Sequence, residues 1–366
     1  MVSLEERIDT KIGEIRTETL DLSFGELVNL HAANELIIQP EYQRLFRWSD
    51  VKKSRLIESI LLELPIPQIF VIENANGVLE LIDGLQRVSS VIQFIDASVL
   101  KWEEPLSPLQ LQGCDLIKDL NNKFFNDLSL ILKLRIKRSS IRTIIIKRQS
   151  KSFLRYEMFK RLNTGGESLE PQEIRNCSAR MVGDKGIKFY NFLKQKAIYS
   201  NFLKCIESLP EESKYKKGDE ELVLRFFASK NAQDLFRSSV TDWLDLYMEN
   251  ILLEEVNFNY NIESKNFDIL FDFLGNTLGE NAFVIYKENQ PQINLKPAYF
   301  EAITVGVFNV LDQIKNLPSE QVRKKIIETT QSDKFKQYTG LGANKKSSLK
   351  NRINTISNAL LELVNE

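Results

Sequence analysis

The chain has 366 residues, of which 43% are hydrophobic, and a formal net charge of −1. Because single hydrophobic cores rarely grow beyond about 250 residues, this length predicts two or three domains. No apolar run approaches the roughly 20 residues of a membrane helix, and the first residues are too polar for a signal peptide, so we expect a cytoplasmic protein. Three scattered cysteines argue against a disulfide framework and a zinc site, and a single histidine, His31, excludes sites built on paired histidines.

The first predicted elements are a polar lead-in with some helical character over residues 1–22 and a helix from Ser23 to Ala32. Ser23 is expected to cap this helix, with Glu26 completing a capping box. A short strand from Glu35 to Gln39 should follow and end at Pro40.

The loop after Pro40 combines two arginines with three aromatic residues within nine positions. It is expected either to be an aromatic-lined turn, with Arg44 paired to an acid, or to bind an anion. In the second case the aromatic rings would stack on a base or shape the pocket wall. The predicted nucleotide- or phosphate-binding residues of this loop are Tyr42, Gln43, Arg44 and Trp48.

A β-hairpin is the next prediction, after a helix from Asp50 to Leu62 that is capped by Ser49. Residues 68–73 and 78–82 have strand-like composition, and the segment from Asn74 to Gly77 has the composition of a tight turn. The second strand of the hairpin should end at Asp83, directly before another helix.

The segment Asp83–Arg87 carries the main chemical signal of the chain. An acidic residue, a glycine, an amide and an arginine stand where a strand should pass into a helix, and a helix start favours phosphate. Glycine permits close approach of backbone to a ligand, and arginine offers a planar fork to phosphate oxygens. Alternatively, Asp83 is only an N-cap with Gln86 as its capping-box partner. The polar strip formed by Gln86, Ser89, Ser90 and Gln93 should face away from the core.

A basic stretch lies between Lys133 and Arg161, where eleven lysines and arginines accompany a single acid, Glu157. Such a local field can bind a polyanion, although solvated helix faces are the simpler interpretation. Residues 140–147 should form a buried strand, and residues 153–162 a helix. The predicted nucleic-acid-binding residues are Lys133, Arg135, Lys137, Arg138, Arg142, Lys147 and Arg148.

A change of pattern near residues 150–168 predicts a domain boundary. Asn163, Thr164, Gly165 and Gly166 should end one helix, and a new helix should begin with Pro171 in its first turn. The glycine-rich segment is either a helix end and linker or a second phosphate-binding loop. Glu173, Arg175 and Asn176 either form a structural ion pair or line the same cleft. The predicted domains are residues 1–150, containing the sheet, and residues 151–366, which should be all-helical.

Several of these segments, taken in order, resemble the N-terminal half of GmrSD-type modification-dependent restriction enzymes. The matching segments are Pro40–Trp48, Leu64–Pro67, Ile82–Arg87, Arg161–Gly166 and Gln172–Asn176, with weaker similarity at Leu222–Phe226 and Asn281–Phe283. The resemblance implies an α+β chain with a ParB/sulfiredoxin-like N-terminal domain followed by an all-helical C-terminal domain. It also implies a nucleotide-binding, NTP-hydrolysing module of a bacterial defence system, with NTP and Mg²⁺ as cofactors.

The family signature is Asp-Gly-Gln-Gln-Arg, and Asp83, Gly84, Gln86 and Arg87 match it by position. Leu85 replaces the first glutamine, so this chain lacks that amide. Many relatives carry a C-terminal nuclease domain with a histidine-centred metal site, which a chain with one histidine is expected to lack. The resemblance then implies DNA as a partner, a separate nuclease or other defence protein, and possible homo-oligomers.

Three hypotheses follow for the function. In the first, Asp83, Gln86 and Arg87 catalyse NTP hydrolysis, with Gly84 and the two loops binding the phosphates and Asp83 holding a metal ion or orienting water. In the second, the same segment grips DNA backbone and the chain is a non-catalytic DNA-binding or sensing module. In the third, it is a ParB-like DNA nuclease.

Overall fold

The computed structural model describes residues 3–12, 14, 16–38, 46, 48–74, 76–101, 105–163, 170–287, 290–340 and 342–365. The chain is an α+β protein and divides into two compact units, Met1–Leu169 and Glu170–Glu366. The residues between 151 and 169, which the sequence prediction assigned to the second domain, lie in the first unit.

A five-stranded mixed sheet forms the centre of the first unit, with strand order β1-β5-β3-β4-β2. The strands are β1 (Thr17–Ser23), β2 (Leu36–Ile37), β3 (Ile69–Glu73), β4 (Leu79–Asp83) and β5 (Ser140–Ile146). Strands β5, β3 and β4 lie inside the sheet. The isoleucines and valine of β3 and β5 are almost completely buried, except for Ile144, which is half-buried. The hairpin of β3 and β4 and the buried strand β5 confirm the sequence predictions.

Strand β1 was not predicted, because its first five residues are exposed and show no buried alternating face. It pairs antiparallel with β5 over its whole length.

Six helices accompany this sheet among the described residues of the first unit: Leu4–Ile12, Phe24–Ala32, Asp50–Leu61, Leu85–Asp96, Leu130–Arg138 and Ser152–Asn163. The predicted caps are present, since Ser23 Oγ accepts from the backbone N–H of Glu26 and Ser49 Oγ accepts from that of Lys52.

The predicted polar strip on the helix Leu85–Asp96 is wrong. Ser89, Ser90 and Gln93 are buried, because the helices Phe24–Ala32 and Asp50–Leu61 both pack against this helix. Ser90 Oγ donates to the Gln86 carbonyl within the helix, which is how a small hydroxyl is tolerated there.

The second unit is helical apart from one short antiparallel ladder, Tyr286–Lys287 with Gln290–Pro291, which corrects the all-helical expectation. Interlocking phenylalanines fill its core, among them Phe226, Phe227, Phe267 and Phe271. Its helices are Pro171–Arg180, Asp184–Ala197, Ser200–Cys205, Glu211–Tyr215, Gly218–Asn231, Val240–Leu252, Tyr260–Thr277, Pro297–Phe308, Leu311–Ile314, Ser319–Gln331, Asp333–Lys336 and Lys346–Asn365.

None of the helices in the described parts of the chain combines the length and apolarity needed to cross a bilayer.

Candidate functional site

A sharp turn at Gly84 joins strand β4 to the helix Leu85–Asp96. Gly84 has φ = 102°, a left-handed conformation that residues with a side chain rarely adopt. A Cβ atom at this position would also overlap the side chain of Ile69 on β3. Glycine is therefore required here by both the backbone conformation and the neighbouring strand.

The N-cap of this helix is Gly84, which has no side chain to cap the backbone N–H groups that follow. The alternative in which Asp83 serves as the N-cap is therefore wrong. The left-handed turn leaves Asp83 one residue too early, at the end of β4, where its carboxylate turns to Arg87 instead. The N-cap residue itself thus places no acceptor on the positive end of the helix.

Arg87 is held in place by two hydrogen bonds from the same nitrogen. Its Nη2 donates to Asp83 Oδ2 at 2.8 Å and to the carbonyl oxygen of Gln68 at 3.1 Å. The side chains of Arg87 and Asp83 are 18% and 30% exposed, so solvent or a ligand can reach the pair. Arg87 Nε is buried and has no hydrogen-bond partner among the described residues.

The segment Asp83–Arg87 with its turn is called the Gly84 corner below. The loop before the helix Asp50–Leu61 lies beside this corner. The backbone N–H of Trp48 donates to Gln86 Oε1 at 3.2 Å. Lys52 Nζ lies 4.7 Å from the Trp48 ring centroid, and Lys53 Nζ lies 4.4 Å from that of Phe46. The structure therefore brings Trp48, Gln86 and Arg87 to one region, and it adds two lysines that the sequence interpretation did not include. Their position in the first turn of the helix that directly follows Phe46 and Trp48 was the available signal.

Several predicted binding residues lie outside the described residues: Tyr42, Gln43, Arg44, Thr164, Gly165, Gly166 and the side chain of Asn163. Their predicted roles stay predictions.

Glu173 and Asn176 lie in the second unit, where each has a structural partner. Glu173 accepts from the backbone N–H of Glu170, forming a capping box at the start of Pro171–Arg180. Asn176 Nδ2 donates to Glu220 Oε2 at 2.5 Å, and both residues are buried. A contact of either residue with a nucleotide stays a prediction.

The basic stretch falls into two electrostatically different parts. On β5 and just after it, Arg142 pairs with Asp21, and Lys147 pairs with Glu18 and Glu73. Hydrogen bonds to these two glutamates raise the pKa of Lys147. The strand pairing of β1 with β5 thus compensates charge that the sequence pattern left uncompensated, and the backbone N–H of Arg148 also donates to Glu73.

On the helix Leu130–Arg138, by contrast, the four basic side chains make no ion pair with a described carboxylate. Arg135, Lys137 and Arg138 are exposed. Lys133 Nζ and Arg135 Nη1 donate only to carbonyl oxygens, those of Asn126 and Leu61. Four described cations without a described carboxylate partner therefore lie together on this helix.

Three or more histidine, cysteine or carboxylate side chains do not gather into a metal site anywhere in the described ranges. A divalent ion at this corner would therefore depend on Asp83 together with ligand oxygens. Asp83 lies on strand β4 and Arg87 on the helix that follows, so their contact depends on the turn at Gly84 rather than on spacing within one helix.

Residues 24–179 match the family model described as GmrSD restriction endonuclease, N-terminal domain. No curated protein and no solved structure matches the chain. The matched range contains the whole corner around Asp83–Arg87 and the helix Leu130–Arg138, whereas the similarity expected beyond residue 179 stays a prediction. Residues 24–179 of this chain belong to the GmrSD restriction endonuclease N-terminal domain family.

Proposed function

We propose that the chain is a nucleotide-binding, NTP-hydrolysing module of a bacterial, restriction-type defence system that targets DNA. The observation that carries the proposal is the corner at Gly84, where a helix start with a glycine N-cap, a fixed arginine and an accessible carboxylate lie within one turn. The family description, which names a restriction endonuclease, supports the biological setting.

Phosphate binding would use the first backbone N–H groups of Leu85–Asp96 and the guanidinium of Arg87. Oriented N–H groups and a helix start favour an anion, and a guanidinium already fixed by Asp83 loses little freedom on binding. Trp48 would form the neighbouring wall, and Lys52 and Lys53 would add positive charge.

A Mg²⁺ ion commonly binds to one or two carboxylates together with substrate phosphates and water, so one accessible carboxylate fits a nucleotide-borne ion. Asp83 would hold that ion or orient the attacking water, and Gln86 would position the phosphate or the water. Bound Mg²⁺ would neutralise charge on the phosphates. Water would attack the terminal phosphorus, and the bond to the bridging oxygen would break.

The experiment is phosphate release from ATP, GTP and CTP by the purified chain with Mg²⁺. We expect release with at least one of them, and its loss in Asp83→Ala. Asp21→Ala is the matched control, because it also removes an aspartate paired with an arginine in the same unit. Undiminished release in Asp83→Ala, with the control equally active, would contradict the proposal.

A second candidate is a DNA-binding or sensing module without catalysis, and the helix Leu130–Arg138 favours it. Exposed cations without carboxylate partners can replace counterions along a phosphate backbone. Replacing Arg135 and Arg138 by glutamine should lower DNA affinity and reduce the slope of log K against log salt by about 2.

Arg142→Gln combined with Lys147→Gln is the matched control, because those two cations already pair with carboxylates. An equal loss of affinity in both double variants would remove the special role of the helix. DNA binding that no nucleotide affects, without phosphate release, would favour this second candidate.

A further inference from the structure

A cavity lies at the C-terminal end of the helix Leu85–Asp96, whereas phosphate binding is proposed at its start. The first helix residue that lines the cavity is Gln93, eight residues after Leu85. Its volume is about 680 Å³, and its walls come from the end of this helix, the following loop and the turn before the helix Leu130–Arg138. The apolar part of the wall includes Phe94, Leu100, Leu106 and Phe125. The rings of Phe94 and Phe125 meet edge to face at 5.6 Å.

Gln93 lines this cavity and is only 5% exposed. Its Nε2 donates to the carbonyl oxygen of Ser107 at 2.9 Å. Because a carbonyl oxygen can only accept a hydrogen bond, the amide atom of Gln93 that faces Ser107 is the nitrogen. The amide's acceptor atom, Oε1, takes no part in this bond. Oε1 is buried and has no donor among the described residues. A buried acceptor of this kind is complementary to an N–H group of a ligand.

Positive charge stands at the edge of the same cavity. Lys133 Nζ donates to the carbonyl oxygen of Asn126, which is one of the lining residues. The ammonium groups of Lys133 and Lys137 lie 5.8 Å and 5.7 Å from the ring centroid of Phe125. Neither lysine pairs with a carboxylate in the part of the chain that the structure describes.

We propose that this cavity binds the base of a nucleotide that carries an N–H donor, with Gln93 Oε1 accepting from the base. The aromatic and aliphatic walls suit a planar heterocycle, and Lys133 and Lys137 suit the phosphate attached to it. The base is either that of a free nucleotide or one turned out of DNA, and a turned-out base is recognised by the same kinds of contact. The site is separate from the corner at Gly84.

The test uses the full chain carrying Arg87→Ala, so that nucleotide binding at the Gly84 corner is lost and failure of one proposal is distinguishable from failure of the other. Titration calorimetry with dAMP measures the free-nucleotide arm. The comparison ligand is N6,N6-dimethyl-dAMP, whose base has no N–H. We expect about tenfold weaker binding of the dimethyl compound, the loss of one hydrogen bond to a buried acceptor. Equal affinity would overturn the assignment of Gln93.

The DNA arm uses a duplex with a single 2-aminopurine, whose fluorescence increases when the base leaves the stack. An increase on adding protein supports a turned-out base, and binding of dAMP alone supports a free nucleotide. If neither ligand responds, the proposal is overturned.

Two variants test whether dAMP binding and the fluorescence increase arise from this cavity. Gln93→Met removes the acceptor, and Leu106→Trp fills the cavity while keeping the bond between Gln93 and Ser107. Gln93→Met should weaken dAMP binding about tenfold, as in the dimethyl comparison, and Leu106→Trp should abolish the response, whereas Leu116→Trp, at a leucine that is 64% exposed, should leave it unchanged. Lys133→Gln should weaken dAMP more than deoxyadenosine, with Lys324→Gln on the second unit as its control. A response that survives in Leu106→Trp would overturn the proposal.

Discussion

Arg87 in the first unit and Arg175 in the second both pair with an aspartate, but they use their donors differently. Arg175 is 2% exposed, and its Nε, Nη1 and Nη2 all donate, to Asp245, to Glu221 and Gln172, and to the Thr241 carbonyl. Both described hydrogen bonds of Arg87 come from Nη2, and part of its side chain is accessible.

The comparison separates a structural arginine from one that can still bind. A buried charge is tolerated when every side of it is paired, and such a group has no capacity left for a ligand. An unpaired Nε alone does not make the distinction, because Arg225 and Arg352 in the second unit also have one. The distinction rests on the accessibility of Arg87 together with its place in the first turn of a helix whose N-cap is a glycine.

The largest effect is expected from Arg175→Ala. Removing this guanidinium leaves Asp245 and Glu221 without their shared cation, which should cost about 3–5 kcal/mol of stability. Burial raises the pKa of Glu221, but Arg225 and Arg175 lower it overall; in the variant only Arg225 remains as its cationic partner. Hydrogen exchange should show loss of protection in Gly218–Asn231 and Val240–Leu252, with the sheet of the first unit unchanged.

Arg87→Ala is the counterpart of that experiment. Its hydrogen bonds are partly exposed, so we expect the stability to change by less than about 1 kcal/mol. Nucleotide binding should nevertheless be lost, and Arg87→Lys should restore only part of it because an ammonium lacks the planar fork. A loss of protection as large as that of Arg175→Ala would show that Arg87 is structural.

Gly84→Ala is expected to destabilise the protein less than Arg175→Ala does. The left-handed backbone and the overlap with Ile69 should destabilise the first unit by about 1–3 kcal/mol. The exchange of backbone amides in β4 and in the first turn of Leu85–Asp96 would report the change. Gly77→Ala is the control, because Gly77 has a similar φ of 81° but open space around it. Equal effects would mean that the backbone conformation, rather than Ile69, dominates.

Local chemistry made much of the first unit predictable. Ser23 and Ser49 predicted the starts of their helices, and the turn residues up to Gly77 predicted the hairpin whose second strand ends at Asp83. What failed depends on tertiary contacts. The hydroxyl and amide side chains on Leu85–Asp96 suggested a solvated face, yet helices pack on both sides and bury them.

The sequence predicts that Asp83 and Arg87 flank a strand-to-helix junction, which the structure shows, but it does not predict that the two side chains pair. The sequence pattern marks Asp83 and Arg87, whereas their contact depends on the turn angle at Gly84, which composition does not specify. Likewise, the sequence does not show that the charge of Lys147 is compensated by a carboxylate. Its partner Glu18 lies on β1, a strand whose residues do not alternate between exposed and buried.

Tyr199→Phe extends the comparison to a neutral donor in the second unit and should have the smallest effect. Tyr199 donates to Asp272 at 2.5 Å, and this hydrogen bond, together with burial, raises the pKa of the phenol from 10.0 to about 12. The unfolded chain therefore loses this proton first, so the contribution of this hydrogen bond to stability is complete below pH 10 and is lost as the pH rises toward about 12.

We expect Tyr199→Phe to cost about 1 kcal/mol at pH 8 and to flatten the fall of the urea midpoint between pH 9.5 and 11. Tyr215→Phe, at a tyrosine that is 60% exposed, is the control and should leave that slope unchanged. If the wild-type and Tyr199→Phe slopes coincide, the contact with Asp272 does not govern the alkaline stability of this unit.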